Sequence, residues 1–269
     1  MPLKAAYLLP HSPLLIPEIG RANHSFFDKT TKAYRDASTK MQSEEVEILI
    51  IFSPHASVDK KTFQINVAPE MEVDLKEFGF ISPKTLFTGA AVLADKINET
   101  LKDEFPLRLS SERLMDYGSA IPSYLLNLYG ANPRIMVVSL ASELGKDVQL
   151  KFSQALGKII FESEKNIAVV ASGDLSHRLQ KKSPGGYSSK AAKYDNRIIE
   201  IISENEEAVE EILKLDDKLR NSTGECASVP LSGLLGILSI GSFQSEILAY
   251  QTEFGVGYLS AEFIVKTGN

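Results

Sequence analysis

The chain has 269 residues, 43% hydrophobic and 24% charged, which is enough to bury a core without disulfides and too ordinary for a fibre or a disordered segment. A formal charge of −6 gives no basic footprint for a phosphate backbone, so no nucleic-acid partner is expected. The lone cysteine, Cys226, cannot close an internal disulfide, which fits a reducing compartment and makes the cytoplasm the expected location.

In chain order, Ala5 to Leu9 reads as a strand. Pro10, His11 and Pro13 break the apolar run and only Lys4 precedes it, so it does not read as a secretory signal. A helix is predicted over Ala22 to Ser43, a strand over Val46 to Phe52 and a short alternating strand over Gln64 to Val67. Helices follow over Gly89 to Lys102 and Ser119 to Leu128, then a strand over Ile135 to Leu140. A helix over Lys146 to Glu162 leads to a strand over Ile167 to Ala171. Helices over Ser188 to Glu204, Glu206 to Leu215 and Val229 to Ile240 precede two closing strands, Glu246 to Glu253 and Gly255 to Val265. No run reaches the 18 or so apolar residues of a bilayer span, so no membrane partner is expected.

The stretches EILIIF, RIMVVSL and NIAVVAS are apolar on both faces, the pattern of strands covered by helices on each side of a sheet. Strand and helix alternate, and no repeat or long linker divides the chain. The expected fold is therefore α/β, one domain over residues 1–269 with a central mixed, largely parallel sheet flanked by helices on both faces.

Three of the four histidines follow apolar strands: His11 after AAYLLP, His55 after LIIFSP and His177 after VVASGDLS. Ligands of open α/β sheets bind beyond the carboxyl ends of the strands, so these imidazoles are candidates for one shared metal or acid/base site. Each is also, taken singly, an ordinary hydrogen-bonded loop residue. Two histidines on a metal call for a third, anionic ligand. Asp174 in GDLSH, Glu18, Asp59 and Glu225 in NSTGECAS all qualify. Glu225 opens an apolar helix, where a carboxylate is favoured with or without a metal. The Pro-Gly-Gly turn within residues 181 to 195 reads equally as a flap over the site or as a plain loop, with Tyr187 a candidate for the pocket wall.

The stretches PHSPLLIPEIG, FSPHA, DYGSAIP, SGDLSHRL and GECASVPLSGLLGIL, in this order, resemble the superfamily of catalytic subunits of class III extradiol ring-cleavage dioxygenases. Within it the chain is most similar to the AmmeMemoRadiSam-associated and Memo-like members. The resemblance implies a mononuclear non-haem Fe(II) site with His11, His55 and Glu225 as metal ligands and His177 as the acid/base residue. It also implies a small aromatic diol and O2 as partners, and ring opening next to the diol as the reaction. Asp174 would orient the loop or the imidazole, or serve only as a turn residue.

Two positions depart from the family pattern. Active members carry a histidine where this chain has Tyr117, and a phenol donates a hydrogen bond but does not become cationic near neutral pH. Cys226 follows Glu225 directly, near a cysteine that Memo proteins use, and a thiolate favours copper or zinc over ferrous iron. As a residue type it is also a small, commonly buried side chain. The alternative expectation is therefore a Memo-like metal-binding protein without dioxygenase activity, associated with a radical-SAM-linked modification system and holding Zn or Cu. A metal-assisted hydrolase ranks last, because nothing marks a second metal. A homo-oligomer is compatible with the sequence.

Overall fold

The computed structural model describes residues 1–57, 59–204 and 207–266. Its elements are β1 (Leu3–Leu9), α1 (Pro17–Gly20), α2 (Asp28–Ser43), β2 (Ile48–Phe52), β3 (Phe63–Asn66), β4 (Glu70–Leu75), β5 (Phe80–Thr88) and α3 (Ala91–Leu101). They continue with β6 (Leu107–Ser110), α4 (Tyr117–Leu128), β7 (Arg134–Ser139), α5 (Lys146–Phe161), β8 (Ile167–Ser172) and α6 (Ala191–Ser203). The last are α7 (Ala208–Leu213), α8 (Asp217–Asn221), α9 (Ser228–Leu238), β9 (Ser242–Gln251) and β10 (Tyr258–Lys266).

Among the described residues, eight strands form one sheet in the order β6-β3-β7-β2-β8-β1-β10-β9. Its centre, β7-β2-β8-β1, is parallel, with Leu49 level with Ala168 and Ala6 level with Val169. β10 and β9 run antiparallel on one flank, and β3 joins β7 antiparallel on the other. Strand alternation divides the apolar side chains between two cores. Leu8, Ile50, Val169 and Ala171 face α3, α5, α6 and α9 on one side. Tyr7, Leu49, Ile51 and Val170 face α2, α4 and the β4–β5 hairpin on the other. This is a single α/β domain with both sheet faces covered, as the continuous apolar runs require.

The differences from the sequence reading are local. Residues Arg21–Phe27 form 3-10 turns, and the α-helix proper starts at Asp28. The β4–β5 hairpin and β6 have no counterpart among the predicted elements. β4 buries Met71, Val73 and Leu75 between polar neighbours, a half-buried alternation over only 6 residues. Of the helix predicted from Glu206, residues Ala208–Leu213 are helical, and Glu206 itself lies outside the described residues. Among the described residues no helix is long and apolar enough to cross a membrane.

Candidate metal centre

Because β2, β8 and β1 are adjacent and parallel, their carboxyl ends lie side by side and deliver the loops that carry His55, Asp174 with His177, and His11. A fourth segment arrives from the lead into α9. Gly173 permits that approach: a Cβ there would lie 2.3 Å from the Ala227 Cα, so any side chain at 173 would push the α9 lead away. Backbone bonds fasten the contact, Cys226 N–H donating to Asp174 O at 3.1 Å. The Asp174 N–H in turn points at Cys226 Sγ, 3.3 Å away.

His11, His55 and Cys226 each bring one potential ligand atom, and these atoms lie within 4.8 Å of one another. His11 is 2% exposed, its Nε2 is 3.4 Å from Cys226 Sγ, and its backbone N–H donates to Asp174 Oδ1 at 3.0 Å. Tyr34 closes the loop from beneath by donating its hydroxyl to Pro10 O at 2.6 Å. Burial drives the His11 pKa well below its usual value, helped by the neighbouring His55 and His177. Burial lowers that of His55 too, partly offset by Asp116. Both imidazoles are thereby kept in the neutral form that ligates metals. Among the described residues, the buried Nε2 of His55 has no hydrogen-bond partner. Burial raises the Cys226 thiol pKa, so the thiol holds its proton until a cation displaces it.

These residues fit a borderline or soft cation: two neutral imidazoles, one of them with an unpartnered buried Nε2 among the described residues, and one thiol converge. Glu225 does not join the converging group. Its Oε1 pairs with Arg220 Nε at 3.1 Å and accepts the Ser228 hydroxyl at 2.6 Å, while Oε2 accepts the Ser228 N–H at 2.8 Å. The carboxylate thus ties α8 to the start of α9. It nonetheless lines the same cleft of about 190 Å³ as His55, Cys226, Lys60 and Arg220.

The remaining predicted residues surround the trio. Tyr117 stacks on His55 with ring centroids 4.3 Å apart and meets His11 edge-on at 5.3 Å. It is aimed by Asp116, which caps α4 by accepting the Ser119 N–H and holds the Ser53 hydroxyl at 2.5 Å. His177 Nε2 lies 4.0 Å from Asp174 Oδ2, and its side chain is 27% exposed. Burial lowers the His177 pKa and raises that of Asp174 to about 7. The 181–195 segment is fastened by Gly185 N–H to His177 O at 3.1 Å and by the Ser183 hydroxyl to Gly255 O at 2.8 Å. Tyr187 is 61% exposed.

Sequence reasoning passed over Ser53 and Ser172, which bond to His55 and His11, and Gly118, which leaves room for the His55 ring. Gly118 has a readable reason to be glycine: a Cβ would sit 3.1 Å from His55 Cδ2 and 2.6 Å from Ser53 Oγ. The available signal for Ser172 was a buried serine ending an otherwise apolar strand.

Residues 5–260 match the family described as the catalytic LigB subunit of aromatic ring-opening dioxygenase. The Clostridium acetobutylicum protein named "Protein CA_C1420" is 28% identical over 269 residues, covering 96% of this chain and 57% of that protein. The chain therefore spans little more than half the length of that relative. The crystal structure of the uncharacterized protein JW3007 from Escherichia coli K12 is similar with a TM-score of 0.68 and 18% identity, over 96% of this chain and 99% of that one, a likeness of fold. The family match, over nearly the full length, supplies the identification: this chain belongs to the family of the catalytic LigB subunit of aromatic ring-opening dioxygenase.

Proposed function

We propose that this chain is a metal-dependent oxidoreductase that opens the ring of a small aromatic diol with O2, its ion held by His11, His55 and Cys226. The observation that carries the metal site is the approach of those three ligand atoms to within 4.8 Å at the carboxyl end of the sheet. When bound, a redox-active ion such as Fe(II) supplies the electrophilic centre at which diol and O2 meet.

The chain's own groups do the rest. His177, neutral near pH 7 because burial lowers its pKa, accepts a proton from a diol hydroxyl and returns it to the product. Asp174 holds the His11 backbone and lies 4.0 Å from His177, while the Glu225 carboxylate is the charge that offsets part of the burial effect on His177. Tyr117, packed on His55, donates a hydrogen bond to the bound diol and fills the place where the resembling dioxygenases carry a histidine. The test is oxygen uptake by anaerobically Fe(II)-loaded protein across a panel of catechols. Uptake that requires His177 supports the reading, and its absence across the panel removes the activity.

A second reading is favoured by the sulfur ligand and by Tyr117: a Memo-like protein that holds copper or zinc without ring cleavage. Metal analysis of the protein and of Cys226→Ala separates the two. Copper or zinc lost with the sulfur favours the second reading, whereas iron kept without it returns Glu225 to the ligand set.

A further inference from the structure

We infer that Ser172 is a positioning residue that fixes the tautomer of His11, so that Nε2, and not Nδ1, carries the lone pair offered at the centre.

The chain of contacts begins in α4. A helical carbonyl expects the N–H of the residue four positions on, but four after Gly118 stands Pro122, which has no N–H. The Gly118 carbonyl therefore needs a donor from elsewhere, and Ser172 Oγ lies within hydrogen-bond distance of it. A carbonyl has no proton to give, so the one proton in that contact is the serine's own. The Ser172 hydroxyl is thereby committed as a donor to Gly118 O.

The second contact follows from the first. Ser172 Oγ is also 2.9 Å from His11 Nδ1. With its hydroxyl proton already used, the oxygen can only accept there, and the proton of that bond belongs to Nδ1. Ser172 and His11 are 0% and 2% exposed, so solvent is poorly able to offer a competing partner. In neutral His11 the lone pair then falls on Nε2, the nitrogen 3.4 Å from Cys226 Sγ. A missing N–H at Pro122 is thus transmitted through Gly118 and Ser172 to the imidazole. The arrangement orients His11 as a hydrogen-bonded outer partner orients a metal-ligating histidine.

The tautomer stands on hydrogen bonding alone; its consequence for metal affinity rests on the metal-centre reading proposed above. The test uses metal-free protein carrying 15N-labelled histidine, with the His11 signals among the four histidines identified by a His11→Asn variant. Long-range proton–nitrogen correlation in the wild type is expected to show a protonated Nδ1 and a bare Nε2. A protonated Nε2 with a bare Nδ1 would overturn the inference, and this readout needs no Ser172 variant to fold. Ser172→Ala is expected to mix the tautomers and weaken zinc binding about 10–100-fold, while Ser172→Thr, which keeps the hydroxyl, restores both. A Ser172→Ala protein with the wild-type tautomer and wild-type zinc affinity also overturns it. Wild-type protein with Nδ1 protonated but no zinc affinity would instead remove the metal-centre reading and leave the role of Ser172 in place.

Discussion

His11 Nε2 lies 3.4 Å from Cys226 Sγ although 215 residues separate them in the chain. The contact exists because β1 and β8 are parallel neighbours and Gly173, just past the end of β8, lets the start of α9 come in against the sheet. The relation between Cys226 and the adjacent Glu225 gives the first prediction. Cys226→Ser is expected to reduce zinc affinity by more than about 100-fold, beyond the roughly 10–100-fold effect of losing an outer partner. Glu225→Gln is expected to leave zinc affinity within about threefold. It should instead lower stability by about 1–3 kcal/mol, because Arg220 and the Ser228 N–H lose their anionic partner. Titration calorimetry and urea unfolding read the two effects separately, and zinc loss in Glu225→Gln with none in Cys226→Ser would reverse the assignment.

Glycine 118 supplies the second. Gly to Ala inside a helix ordinarily gains up to about 1 kcal/mol. Here the new Cβ would meet Ser53 Oγ at 2.6 Å and His55 Cδ2 at 3.1 Å, so the His55 ring must shift. Gly118→Ala is expected to weaken metal binding about tenfold while the protein still unfolds cooperatively. Unchanged affinity would mean that the ring position does not matter.

The third concerns pH and a group away from the trio. Asp195 is fully buried, accepts the Ser176 N–H at 2.9 Å and the Tyr250 hydroxyl at 2.8 Å, and burial raises its pKa from 3.8 to about 7. Between these values the folded protein keeps a proton that the unfolded chain has released, so this group's stabilisation fades as pH rises through 7. The stability of wild type relative to Asp195→Asn should therefore fall between about pH 4 and pH 8, by on the order of a few kcal/mol. Denaturant unfolding of both proteins across that range measures it, and a flat difference would show that Asp195 ionises normally.

The sheet was legible where its strands are apolar on both faces, as β2, β7 and β8 are, because few other elements produce such short unbroken runs. β4 and β5 were not, since a short half-polar alternation, and a Pro83 within β5, look like loop. Of the residues that converge, His11 and His55 could be picked out as candidates from their places after apolar strands. Whether Glu225 or Cys226 points inward could not, because the choice depends on Arg220, brought against Glu225 by the turn between α8 and α9. Ser172 showed in the sequence only as a serine ending an apolar strand; its contacts with Gly118 of α4 and with His11 are tertiary.

Whether His11, His55 and Cys226 share one ion is tested most directly by X-ray absorption of the zinc-loaded protein. The predicted result is one sulfur at about 2.3 Å with nitrogen neighbours at about 2.0–2.1 Å, the sulfur contribution disappearing in Cys226→Ala. A shell of nitrogen and oxygen alone, unchanged by removing the thiol, would contradict it.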